Sequence, residues 1–119
     1  MEPTNNSGGW WLLRDGEVVA AAEVAETYGA RAKGLLGRRG YEGALVFPHT
    51  NSVHTLAMRF PIDVGFLDRE MVVVATVCMR PWRLGMPRLK ARWVIEAEAG
   101  AFERWRLATG DRLELREVE

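Results

Sequence analysis

The sequence predicts an α+β fold rich in β structure: a mostly antiparallel sheet curled into a small barrel or sandwich, with two short helices. Three observations carry that expectation. Short apolar or alternating runs recur along the chain, turn-forming residues separate them, and only two stretches show helical spacing. The chain has 119 residues, 48% hydrophobic and 27% charged, which fits one ordinary globular domain.

Residues 1–9, MEPTNNSGG, lack the basic and apolar regions of a secretory leader, so we expect a flexible tail followed by a single domain over 10–119. Trp10 to Arg14 and Glu17 to Val24 flank Asp15-Gly16. That dipeptide accepts positive φ at both central turn positions, which predicts a β-hairpin. From Thr27 to Arg38, Tyr28, Ala32, Leu35 and Leu36 recur at helical spacing, with Thr27 as cap and Gly37 as stop. Gly43 to Phe47 reads as a short strand closed by Pro48. Ser52 to Met58 and Ile62 to Leu67 read as two more strands, with Pro61 marking a bend or an edge.

Met71 to Met79 is rich in β-branched residues and apolar on both faces, which predicts a central strand. Trp93 to Glu98 alternates, with Trp93, Ile95 and Ala97 on one face and Val94, Glu96 and Glu98 on the other. A second helix is expected from about Ala101 to Leu107, placing Phe102 and Trp105 together. Gly110-Asp111 then turns the chain into a last strand, Arg112 to Glu117, with Leu113 and Leu115 facing inward.

Composition excludes several function classes. Sixteen basic and sixteen acidic residues cancel, which argues against a nucleic-acid partner held by net charge. One cysteine, Cys78, cannot form an internal disulfide or a multi-cysteine metal site. No apolar run approaches the ~20 residues of a membrane span, and a cytoplasmic location is expected.

Several runs, in this order and spacing, resemble the family catalogued as domain of unknown function 192. They are RAKGLLGR at 31–38, GALVF at 43–47, HTLAMRFPIDVGFLD at 54–68, WVIE at 93–96, Ala99-Gly100 and GDRL at 110–113. The resemblance covers about Val24 to Leu115 and implies a compact β-rich fold, but it brings no reaction or cofactor. Two departures stand out. Many members resemble Trp-Met-Lys-Asn-Thr where this chain has His54-Thr-Leu-Ala-Met58. Many also carry a glycine in the turn after Asp68, where Met71 stands here. A side chain is costly at positive φ, so a differently shaped turn is expected.

The candidate binding residues are Arg31, Gly34, Arg38, His54 and Asp63. On an unbroken helix, Arg31 and Arg38 share a face about 10 Å apart along the axis, with Gly34 between them. Planar guanidinium groups there suit a carboxylate or phosphate. The structural alternative pairs them with Glu96 and Asp63. His54 with Asp63, alongside Thr55 and His49, could serve as a general base. However, no nucleophile elbow, zinc-protease helix or phosphate loop accompanies them, and two histidines with one carboxylate make no metal motif. Cys78, in an apolar strand, reads as a small core residue.

The stretch 80–92, RPWRLGMPRLKAR, has five cations and no acid. Its tryptophan beside arginines suits stacking on nucleic-acid bases or contact with an anionic surface, although fourteen arginines against two lysines also spread arginine without purpose. The expected function is a small accessory or binding domain for a small anionic ligand, without cofactor or metal. The alternatives are a small hydrolase or transferase using His54 and Asp63, or a protein-interaction module acting through Trp82.

Overall fold

A computed structural model of the chain describes residues 9–25, 42–56 and 58–118. The strands are β1 (Gly9–Arg14), β2 (Glu17–Val24), β3 (Ala44–Pro48), β4 (Ile62–Leu67), β5 (Val73–Met79), β6 (Trp93–Glu98) and β7 (Leu113–Glu117). One helix, α1 (Ala101–Trp105), precedes β7. The strands form one seven-stranded sheet in the order β5-β4-β6-β3-β2-β1-β7.

The predicted hairpin is present. Asp15 and Gly16 sit at φ 53° and 80°, the mirror-image turn that Asp-Gly favours because it matches strand twist. β2 and β3 pair in parallel, and every other pair is antiparallel. A parallel pair needs a crossover rather than a tight turn. The connecting residues 26–41, and with them the helix expected from Thr27 to Arg38, lie outside the described residues.

The sheet curls on itself. Val73 of edge strand β5 and Leu113 of edge strand β7 belong to one buried cluster with Leu12, Val46, Leu67, Ile95 and Phe102. Strands at opposite ends of the order share a core only if the sheet bends around it. The two edges touch at one corner, where Val72 bridges Arg112 and the Leu113 amide donates to the Met71 carbonyl at 2.9 Å. No ladder continues beyond that corner, so the expected barrel or sandwich is instead one open, curled sheet. Among the described residues it carries a single short helix.

The outer face buries a second cluster, with Leu45, Phe47, Val64, Phe66 and Val94 beneath Val53, Met58 and Ala91. Those covering residues come from the segments before β4 and before β6. The run Ser52 to Met58, expected as a strand, makes only one bridge, His54 to Leu84. Its backbone is instead tied to the 80–85 loop through Thr55, which is fully buried. The Thr55 hydroxyl donates to the Arg80 carbonyl at 2.6 Å and accepts from the Arg83 amide at 2.8 Å, while its carbonyl accepts from Trp82 at 2.7 Å. Thr55→Val keeps the shape but strands a partly buried donor and a partly buried acceptor, each worth up to roughly 1–3 kcal/mol. We expect a loss of about 2–3 kcal/mol in urea unfolding; a loss under ~0.5 kcal/mol contradicts this role.

β5 also departs from expectation. It is an edge strand, with Thr76, Val77 and Cys78 exposed. Small and β-branched residues gave it an apolar reading on both faces, yet neither face is covered along its length. Val73 and Met79 are buried at its ends, and the three residues before Met79 are exposed.

Candidate functional site

α1 is five residues long, too short to persist unaided, and side chains from the sheet hold both its ends. At its start, Asp63 of β4 accepts from the amides of Gly100 (2.9 Å) and Phe102 (3.1 Å) through Oδ2. At its end, Arg14 of β1 donates to the carbonyls of Trp105 (2.7 Å) and Arg106 (2.9 Å) and pairs with Asp111 at 3.2 Å. Phe102 lies over Gly65, where an added Cβ would meet its ring at 3.4 Å. The helix thus plugs one end of the curled sheet.

Among the described residues the opposite end is open. There the inner face forms a cleft of about 880 Å³, walled by Trp10, Val24, Pro48, Met71, Trp93, Leu113 and Leu115. Pairing of Trp93 with Pro48 and with Leu67 places its indole in mid-sheet, and Trp10 stands on β1 across the curl. The rim carries Asp15, Glu70 and Glu114 against Arg69 and Arg112. An apolar concavity with a few polar groups at its edge is the usual form of a small-molecule site.

Met71 is the unusual part of that wall. It adopts φ 64°, in the left-handed region where a non-glycine side chain costs roughly 1–2 kcal/mol. Asp68 builds the turn, its Oδ1 accepting from the amides of Glu70 (2.9 Å) and Val72 (3.0 Å). The expectation that Met71 would reshape this turn is therefore corrected: the backbone keeps the glycine-like conformation and carries methionine in it. The side chain packs against the inner core and faces the cleft.

Of the residues singled out in the sequence, Arg31, Gly34 and Arg38 lie outside the described residues. His54 and Asp63 are not brought together. Asp63 faces the inner, helix-covered side, whereas His54 is exposed on the segment that covers the outer side, its Nδ1 accepting from the Leu56 amide at 3.3 Å. His49 is exposed in the turn after β3, at φ 56°. Among the described residues, Asp63 spends its carboxylate on backbone amides and on the Cys78 thiol, and Glu96 has no ion-pair partner.

Cys78 is exposed at the β5 edge, not in the core as expected. Its thiol is nevertheless pushed above its usual value of 9.0, first by partial desolvation and then by the charge and hydrogen bond of Asp63, which keeps it a poor nucleophile. No group of three or more metal-ligating side chains occurs among the described residues. No described helix is long and apolar enough to cross a membrane.

The family model DUF192, described as an uncharacterized ACR, matches residues 11–115. The chain belongs to this family. A UPF0127 protein of Pyrococcus abyssi is 33% identical over 97 residues, 77% of this chain and 83% of the relative. Another, from Pyrococcus furiosus, is 34% identical over 103 residues, 82% of this chain and 89% of the relative. A solved structure of a protein of unknown function from Novosphingobium aromaticivorans matches with TM-score 0.70 and 23% identity, over 80% of this chain and 74% of that one. At that identity the likeness concerns the fold. The DUF192 fold is thus the curled sheet described above, and the names of the family and of these relatives state no reaction.

Proposed function

We propose that this DUF192 chain is a single small binding domain of the cytoplasm, and that it holds an apolar or aromatic group in the open end of its curled sheet. Met71 carries the reading. A left-handed backbone position filled by a large side chain is strain retained for a purpose, and here the side chain lines the cleft together with Trp10 and Trp93. Among the described residues the cleft lining includes no histidine, cysteine, serine or lysine, which favours binding over the hydrolase or transferase alternative. Its rim, with three carboxylates and two arginines, does not select a bare anion. An anionic ligand remains a proposal tied to Arg31, Gly34 and Arg38, and it is the weaker one because Asp63 is committed to α1.

The test is titration with N-phenyl-1-naphthylamine, a neutral fluorescent probe of apolar sites. We expect saturable binding that weakens more than tenfold in Trp93→Ala and in Met71→Gly, since each removes ~2 kcal/mol of contact. Stability of Met71→Gly should stay within about 1 kcal/mol of the parent, because strain relief offsets lost packing. Absence of saturable binding, or affinity untouched by both substitutions, overturns the reading.

A further inference from the structure

The segment between β5 and β6 presents apolar and cationic side chains to solvent together. Trp82, Leu84, Met86 and Leu89 are 64%, 76%, 79% and 86% exposed. Arg80, Arg83, Arg88, Lys90 and Arg92 alternate with them and are also exposed. All sixteen acids of the chain lie elsewhere in the sequence, and none of these five cations pairs with an acid among the described residues.

This exposure is built in. The backbone is pinned at Trp82 and Arg83 to Thr55, at Gly85 to Val53 (2.8 Å) and at Arg88 to Asn51 (2.8 Å). Gly85 admits no side chain, since a Cβ there would lie 2.7 Å from the Val53 carbonyl oxygen. Trp82 is held at φ 63°, a region that bulky residues avoid. The loop is therefore fastened by its main chain with its apolar side chains turned outward. Below them a hollow of about 500 Å³ is lined by Arg80, Arg83 and Arg88, with Phe66 and Met79 among its apolar walls. Arg88 stacks over the Phe66 ring at 5.1 Å.

We infer that this loop is a docking surface for an anionic phospholipid bilayer. Tryptophan and aliphatic side chains enter the interfacial layer, where an amphipathic ring and apolar chains are both stabilised. Arginines alternating with them reach the phosphates, and their planar forks suit those oxygens. The chain is neutral overall, so a run of five cations without an acid attracts an anionic surface to this face and orients the protein on it. Three aliphatic side chains beside one tryptophan fit lipid better than nucleic acid, whose bases need aromatic platforms.

The experiment is co-sedimentation of the full chain with vesicles of phosphatidylserine and phosphatidylcholine in equal parts, with pure phosphatidylcholine as control. Binding to the anionic vesicles alone is expected, weakening as salt rises. The double variant Arg83→Gln with Arg88→Gln should bind more than tenfold less, each cation near the surface contributing about fivefold. Leu84→Ser with Leu89→Ser should also bind several-fold less. Leu84 and Leu89 are exposed, so the urea midpoint of their variant should match the parent. The arginine variant gives up the Arg88 stacking on Phe66 and should lose no more than about 1 kcal/mol, which separates loss of docking from loss of fold. No sedimentation at low salt, or equal sedimentation of the arginine variant, overturns the inference. So does a dimer in gel filtration that Leu84→Ser dissolves without any vesicle binding. Salt-sensitive binding of single-stranded RNA by a protein that ignores vesicles overturns it too.

Discussion

Replacing Asp63 with alanine removes about 3 kcal/mol of stability and releases α1 before the rest of the fold. Two amides, Gly100 and Phe102, lose the one carboxylate oxygen that receives them. Hydrogen bonds to a charged acceptor are worth roughly 1.5–3 kcal/mol each, with part of that recovered if water reaches the donors. Phe102 would then lift from Gly65, and its contact with Trp105, at 5.7 Å between ring centres, would be lost. Urea unfolding measures the total, and amide exchange at Gly100 and Phe102 measures the local release. Asp63→Asn keeps an acceptor oxygen without its charge and should lose about half as much. A change below ~1 kcal/mol for the alanine variant would mean that packing alone seats the helix.

Glu96→Gln has the opposite sign. Glu96 is 8% exposed in the middle of β6, paired in register with Leu45 and Val64. Glu98 shares its face, but burial is the cause that lifts its carboxyl from 4.5 to about 7. The folded state therefore keeps this proton through a range where the unfolded chain has lost it. The contribution of Glu96 to stability is greatest below pH ~4.5, falls as pH rises toward about 7, and levels off above. The shift corresponds to about 3 kcal/mol at ~1.4 kcal/mol per unit. Glutamine carries no charge at any pH, so the variant should be more stable by up to that amount at pH 8 and nearly unchanged at pH 4. Parallel stability curves for the two proteins across that range would contradict this account.

Features with a local cause were legible in the sequence. Asp15-Gly16 declared its hairpin because turn type depends on two residues alone. β4 runs from Ile62 to Leu67 as read, bounded by Pro61 and by the turn at Asp68. The alternation in Trp93 to Glu98 fixed both faces of β6, and Phe102 with Trp105 marked α1. β5 was misplaced because apolar content reports which residues could be buried, whereas strand order decides which are. Ser52 to Met58 was misread because Thr55 bonds a loop some 25 residues downstream, and periodicity carries no trace of such a partner.

The site was harder to see for a related reason. Trp10, Met71, Trp93 and Leu115 come from four segments that only the curl brings together, so no spacing announces the cleft. One signal was present: methionine where the family pattern carries glycine. It was read as a change of turn shape, and the strain it records became visible only with the backbone angles. The arginines of 80–92 were legible as charge, but the outward setting of Leu84, Met86 and Leu89 was not.

The place of β1 in the sheet has a consequence for synthesis. It lies between β2, its neighbour in the chain, and β7, which begins at Leu113. At roughly 5–20 residues per second on the ribosome, β7 follows several seconds or more behind. During that interval the hairpin stands with one side unmated and Trp10 and Leu12 unshielded, so the nascent chain is most open to wrong pairings before its final strand arrives.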